Sequence, residues 1–104
     1  MQSFMERVRN GPVVIADGAM GSFLMERGLE AGAAPESLNL SRPGLLREVA
    51  KLYLDAGAEL IQTNTFGGSA LKLACYDLED QTEEINRTAA EAVREVAGDS
   101  AYVS

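Results

Sequence analysis

The fold is decided by residues 41–68, which read SRPGLLREVAKLYLDAGAELIQTNTFGG. A capping serine and an early proline predict a helix from about residue 43, and apolar residues then recur at helical spacing until Gly57. Residues 60–63 (LIQT) predict a strand, and a polar turn with two glycines follows at 64–68. A helix, a short apolar strand and a polar turn in this order are typical of a parallel α/β sheet.

The same pattern extends to both sides of this stretch. The β-branched run 13–16 predicts a first strand that is apolar on both faces and therefore buried, and residues 101–104 predict the start of a third strand. Three parallel strands leave two open sheet edges. We therefore expect residues 1–104 to be the N-terminal part of one larger α/β domain. Further helices are predicted at 4–10, 19–27, 69–76 and 82–97. The first has Phe4, Met5 and Val8 on one face, and the last has an apolar face made of Ile85, Ala89, Ala92, Val93 and Val96.

The composition excludes several classes of function. The chain has 104 residues, a net charge of −7, one cysteine and no histidine. By itself it cannot form a Ser/His/Asp or Cys/His catalytic centre, a disulfide or a multi-cysteine metal site. The acidic charge argues against nucleic acid and anionic membranes as partners. We find no apolar run of membrane-spanning length and no signal peptide, so the cytoplasm is the expected location.

Polar residues follow the first two predicted strands at their carboxyl ends, where α/β folds bind ligands. Asp17 and Gly18 follow the first strand. The carboxylate could cap the next helix, or it could bind the ammonium group of a ligand that approaches closely over the glycine. Asn64 and Thr65 follow the second strand. Their side chains could bind the backbone groups of an amino acid, or they could serve only as turn residues.

Two further features have structural interpretations. The loop 28–42 is long for a compact domain, and Pro35, Glu36 and Asn39 are expected to order it rather than contact a ligand. Cys75 has apolar neighbours, so we expect a buried small side chain and not a nucleophile.

Taken together, the motifs resemble the homocysteine S-methyltransferase family. The resemblance is carried by residues 16–21 (ADGAMG), 32–40 (GAAPESLNL), 55–61 (DAGAELI), 63–68 (TNTFGG) and 84–90 (EINRTAA). Their order and spacing agree along nearly the whole chain. The first and fourth strings are closest to the cobalamin-dependent type within that family.

The resemblance implies a (β/α)8 TIM barrel, of which residues 1–104 would form the first two βα units and the start of strand three. It also implies an enzyme that transfers a methyl group to the thiol of homocysteine and forms methionine. Asp17 and Gly18 would lie at the amino group of homocysteine, and Asn64 and Thr65 would line the same pocket.

In that family a zinc ion held by cysteine thiolates binds the thiol. Those cysteines do not match any residue of this chain, so the resemblance assigns no catalytic residue and no metal ligand here. We therefore expect the isolated 104 residues to be inactive.

The methyl donor and two alternatives stay open. The donor could be methyltetrahydrofolate with cobalamin, betaine, S-methylmethionine or a corrinoid protein. A related barrel methyltransferase that uses another thiol or a corrinoid acceptor is one alternative. The other is a non-catalytic module that oligomerises through its open sheet edges.

Overall fold

The strands of the molecule are parallel and follow chain order. The computed structural model describes all 104 residues. Strand β1 (Leu60–Ile61) pairs in parallel with β2 (Tyr102–Val103), and Ala16 forms a parallel bridge to Leu60 on the other side of β1. The prediction of a parallel α/β arrangement is confirmed.

The first predicted strand is present only in part. Leu60 N–H donates to Ile15 O (3.2 Å) and Asp17 N–H donates to Leu60 O (2.9 Å), so the pairing is confined to the residues around Ala16. The side chains of Val13 and Ile15 are 85% and 59% exposed. The expectation that this strand is buried on both faces is therefore wrong. None of the three clusters of buried core residues contains a residue from 13–16, so the core of this chain does not cover the strand.

The helices cover most of the remaining chain. They are α1 (Phe4–Asn10), α2 (Gly21–Glu26), α3 (Leu38–Ser41), α4 (Pro43–Asp55), α5 (Ala70–Leu73) and α6 (Thr82–Ala97). Short 3-10 turns at Pro35–Ser37, Ala74–Tyr76 and Glu79–Gln81 lie before α3, after α5 and before α6. The stretch predicted as the long loop therefore contains a 3-10 turn and α3. None of the helices combines the length and the apolar character that a bilayer span requires.

The core lies where α4 and α6 pack on each other and on the two strands. The small side chains of Ala89 and Ala92 allow Leu46 of α4 to pack closely against α6. Ile61 of β1 is fully buried in a second cluster with residues of both helices. Helix α6 buries the face that was predicted to be apolar. Ile85, Ala89, Ala92 and Val93 are buried, and Val96 of that face is half-buried. This packing sets the positions of the loops that follow the strands.

Helix α1 is attached at the amino ends of the strands by a polar contact. Arg7 Nη1 lies 2.9 Å from Glu59 Oε2, and this hydrogen-bonded guanidinium holds the pKa of the Glu59 carboxyl below its ordinary value. The Phe4 ring packs edge-on against Tyr102, with 5.4 Å between the ring centroids. Phe4 and Val8 nevertheless stay largely exposed, so the apolar face predicted for α1 is not buried within this chain.

Candidate functional site

Two loops lie side by side at the carboxyl edge of the sheet. We call residues 17–20 the strand-one loop and residues 63–68 the strand-two loop. Asp17 Oδ2 accepts the N–H of Gln62 at 3.0 Å, and this bond joins the start of the first loop to the residue before the second. The four predicted site residues, Asp17, Gly18, Asn64 and Thr65, are therefore at the same edge.

The Asp17 carboxylate is incompletely satisfied. One of its oxygens accepts the Gln62 N–H, whereas Oδ1 is buried and has no hydrogen-bond partner. Burial raises the pKa of this carboxyl above its ordinary value, and the Gln62 N–H opposes that effect. Asp17 does not cap α2, because that helix begins after Met20 without a side-chain cap. A buried carboxylate oxygen without a donor is suited to accept a hydrogen bond from a cationic ligand.

The Tyr53 side chain of α4 contacts the strand-one loop. Tyr53 Oη donates to Ala19 O at 2.6 Å, and its ring packs edge-on against Phe23. A Cβ atom at Gly18 would lie 3.1 Å from the Tyr53 hydroxyl, a tight contact. Glycine at position 18 therefore lets the loop lie close to Tyr53 while its backbone stays exposed.

The strand-two loop directs its polar side chains in different ways. The hydroxyls of Thr63 and Thr65 are 2.7 Å apart and hydrogen-bonded to each other. Asn64 is only 6% exposed, and its amide donates to Pro35 O (3.0 Å) and Asn39 Oδ1 (2.9 Å). The asparagine therefore points into the protein, and the threonine pair remains half-buried.

The glycines of the strand-two loop are contacted from two sides. Gly67 N–H donates to the buried Glu36 carboxylate at 3.3 Å, and Asn86 Nδ2 donates to Gly68 O at 2.7 Å. A Cβ atom at Gly68 would overlap the Asn86 amide and would lie 3.0 Å from Thr65 O. Only glycine fits at position 68 without moving its neighbours.

Several residues around the two loops were missed or undervalued by sequence reasoning. Glu36 and Asn39, which were expected to order the long loop, bond residues of the strand-two loop, and these contacts were not predicted. Tyr53 was expected only to be one of the residues that recur at helical spacing before Gly57. The clearest available signal was Asn86, because asparagine is unfavourable inside a helix unless its amide has partners.

The larger cavities lie elsewhere. Grooves of about 410 Å³ and about 420 Å³ are found around Phe4 and Leu60, near α1, and include none of the four predicted site residues. The carboxyl edge is an open surface in this chain.

The residues of this chain do not by themselves fit a metal centre. No three Cys, Asp or Glu side chains come together in an arrangement that could hold a metal ion.

Cys75 is exposed, so the expectation of a buried thiol is wrong. The reason is its place in a 3-10 turn after the four-residue helix α5, where Leu73 is the buried residue.

The fold and the site define a class of protein: a parallel α/β unit with a candidate ligand site at the carboxyl ends of its strands. The sequence model of one family, described as "Homocysteine S-methyltransferase", matches residues 14–103. The chain therefore belongs to the homocysteine S-methyltransferase family, a family of methyltransferase enzymes.

The relatives are consistent with that membership. The chain is 37% identical over 93 residues to the methionine synthase of Mycobacterium leprae (strain TN) and 36% identical over 93 residues to that of Mycobacterium tuberculosis (strain ATCC 25618 / H37Rv). In both cases the match covers 82% of this chain and 8% of the relative.

Solved structures show the same fold. The homocysteine methyltransferase MmuM from Escherichia coli matches in its oxidized form with a TM-score of 0.76 over 88% of this chain and 32% of that one. Its metallated form matches with a TM-score of 0.77 over 90% and 34%. Both are 24% identical to this chain, so this likeness concerns the fold alone. The chain spans about a third of MmuM and a small part of the methionine synthases.

Proposed function

We propose that these residues form part of the homocysteine pocket of a (β/α)8-barrel methyltransferase that converts homocysteine to methionine. In that reaction the sulfur of homocysteine forms a bond to the methyl carbon, the bond between the methyl group and its donor breaks, and the thiol proton is released. Membership of the family and the place of the polar loops at the carboxyl edge of a parallel sheet support this proposal.

The observation that carries the proposal is the buried Oδ1 of Asp17, which has no partner within the chain. The α-ammonium group of an amino acid offers N–H donors and a compensating positive charge. We propose that this group of homocysteine binds Asp17 and lies over the exposed backbone of Gly18. Thr65, and the backbone near Asn64, would line the same pocket at the strand-two loop.

The reacting groups beyond this pocket are assigned to residues outside 1–104. The relative MmuM is described in a metallated form, and the residues here do not make a metal site. We therefore propose that a zinc ion is held by other residues of the whole protein. Cobalamin and methyltetrahydrofolate would likewise bind elsewhere, and the isolated 104 residues would not catalyse methyl transfer.

A non-catalytic oligomer is a second candidate, and the exposed side chains of Val13 and Ile15 favour it. The outer edge of β2 could pair with another strand. The intact mass of the native gene product separates the two proposals. A mass near 11.1 kDa with a discrete oligomer in sedimentation would favour the oligomer, and a much larger mass would favour the barrel enzyme.

The direct test is methionine formation by the native gene product. Homocysteine is supplied with betaine, with S-methylmethionine, or with methyltetrahydrofolate and cobalamin in parallel assays. We expect methionine with one of these donors, and the donor that works identifies the branch of the family. The proposal fails if the purified, metal-loaded protein forms no methionine with any donor. Methylation of a different thiol in place of homocysteine would favour the related methyltransferase.

A further inference from the structure

A buried pair of side-chain amides joins α3 to the strand-two loop. Asn39 is completely buried, and its Nδ2 donates to Asn64 O (2.9 Å) and to Ile85 O (3.2 Å). Asn64 Nδ2 donates in return to Asn39 Oδ1 (2.9 Å), and its second bond goes to Pro35 O. Asn39 therefore bonds the strand-two loop through both backbone and side chain, and it also bonds the first turn of α6.

These bonds determine what Asn64 can offer to a ligand. A side-chain amide has two N–H protons, and both protons of Asn64 are used inside the protein. Asn64 therefore has no donor left for the carboxylate of an amino acid. In the hydroxyl pair of Thr63 and Thr65, one group donates to the other, and the accepting hydroxyl keeps its own proton. The available side-chain donor of this loop is a threonine hydroxyl.

We propose that Asn39 is a positioning residue for the substrate pocket. Through its reciprocal pair with Asn64, it holds the strand-two loop so that the threonine hydroxyls stay at the carboxyl edge of the sheet. Asn64 then belongs to the positioning pair and is not itself a donor to the ligand. This inference rests on the proposed function for its substrate, whereas its effect on the loop is independent of that function.

Loss of the Asn39–Asn64 pair is expected to affect mainly the start of the strand-two loop. Removing the Asn39 amide takes the donor away from Asn64 O and the acceptor away from Asn64 Nδ2, both in a buried environment. The contacts of Glu36 with Gly67 and of Asn86 with Gly68 hold the other end of the loop. We therefore expect the loop to loosen at its start, near the threonines, while the protein remains folded.

The test compares Asn39→Ala with Val93→Ala in the native gene product. Val93 is equally buried, but it lies in the cluster around Ile61 and does not bond either loop. We expect Asn39→Ala to raise the KM for homocysteine about tenfold and to change kcat by less than about twofold. Val93→Ala should lower the melting temperature and leave that KM unchanged. A wild-type KM in Asn39→Ala, or the same rise in both variants, would overturn the inference.

The double variant Asn39→Ala/Asn64→Ala adds a test of the pair itself. If the two amides act as one unit, its KM should match that of Asn39→Ala within about twofold. Effects on KM that multiply would mean that Asn64 contacts the substrate independently, and they would contradict the assignment made here.

Hydrogen exchange measures the position of the loop without any activity. In the native gene product, the peptide that covers residues 62–69 should exchange about tenfold faster in Asn39→Ala than in Val93→Ala. Equal exchange in the two variants would overturn the positioning role. If the wild-type protein forms no methionine, the proposed function fails alone, and this measurement still decides the inference.

Discussion

The strand-one and strand-two loops occupy the same edge of the sheet but are built in opposite ways. In the strand-one loop Gly18 and Ala19 are exposed, and the side-chain hydrogen bond that a helix gives this loop comes from the Tyr53 hydroxyl. In the strand-two loop Asn64, Gly67 and Gly68 are buried. Three side chains from outside the sheet bond the strand-two loop, namely Glu36, Asn39 and Asn86.

From this difference we expect the strand-one loop to bind the ligand and the strand-two loop to position the pocket. Apart from one threonine hydroxyl, the side-chain donors of the strand-two loop form their hydrogen bonds within the protein, which makes the loop mainly a scaffold. The strand-one loop carries a buried oxygen of Asp17 that lacks a donor, and a buried acceptor of this kind lowers stability until a partner arrives. We therefore expect affinity to depend mainly on the first loop and geometry on the second.

The largest effect is expected from Asp17→Asn. This change removes the negative charge and leaves an acceptor for Gln62 N–H. Because a hydrogen bond to a charged group contributes about 1.5–3 kcal/mol, the KM for homocysteine should rise by about tenfold to about a hundredfold. Steady-state kinetics of the native gene product measures this rise.

Two controls make that prediction specific. Asp99→Asn removes an exposed carboxylate before β2, at the opposite end of the strands, and should leave the KM unchanged. A homocysteine analogue without the α-amino group should bind the wild-type protein and Asp17→Asn equally well. Discrimination between these two proteins by the analogue would mean that Asp17 does not contact the amino group.

The next effect is expected from Gly68→Ala. The added Cβ would overlap the Asn86 amide and approach Thr65 O, so the free energy of unfolding should fall by about 1–3 kcal/mol. Denaturant unfolding measures the loss. Gly44→Ala is the matched control, because its Cβ would meet no atom within 4 Å and alanine favours the helix. Equal stability of the two variants would show that the strand-two loop is not tightly held.

A smaller effect is expected from Tyr53→Phe. The variant keeps the ring that packs on Phe23 but loses the bond to Ala19 O. A single neutral hydrogen bond contributes about 1 kcal/mol, so the loss of stability should be of that order. The KM for homocysteine should rise less than in Asp17→Asn. A larger rise in KM than in Asp17→Asn would contradict the roles given to the two loops. It would mean that the position of the strand-one loop contributes more to homocysteine binding than the charge of Asp17.

The smallest effect concerns pH. Burial raises the pKa of Asp17, so the native state holds this proton more tightly than the unfolded state. The stability of the wild-type protein minus that of Asp17→Asn should therefore fall as pH rises from the ordinary carboxyl pKa through the raised one. Below the ordinary carboxyl pKa this difference should no longer change with pH. Unfolding of both proteins without ligand, from about pH 3 to about pH 8, measures this difference. If the stability of the wild-type protein fell relative to that of Asp17→Asn as the pH was lowered, the raised pKa would be contradicted.

Subtracting the two curves isolates Asp17 from the other carboxyls. The Glu59 carboxyl, whose pKa is lowered by Arg7, contributes stability that is lost in acid in both proteins. Its contribution cancels in the difference, and only the group at position 17 remains.

Much of this protein was determined by local sequence. The spacing of apolar residues defined α4 and α6 and the buried face of α6, because helical periodicity acts over a few neighbouring residues. The strings around Asp17 and Thr65 carried the resemblance to the family that the comparisons then showed. The place of both loops at one sheet edge also followed, since parallel strands share their carboxyl ends.

Only the tertiary structure decided which polar groups are used and which are free. Asn64 turns inward because Asn39, 25 residues away in the chain, is buried beside it. Asp17 keeps one buried oxygen without a hydrogen-bond partner, because the Gln62 N–H bonds the other oxygen of its carboxylate. Cys75 is exposed, and residues 13–15 lack the cover that their apolar run predicted. These outcomes depend on contacts between distant segments, and no pattern of neighbouring residues contains that information.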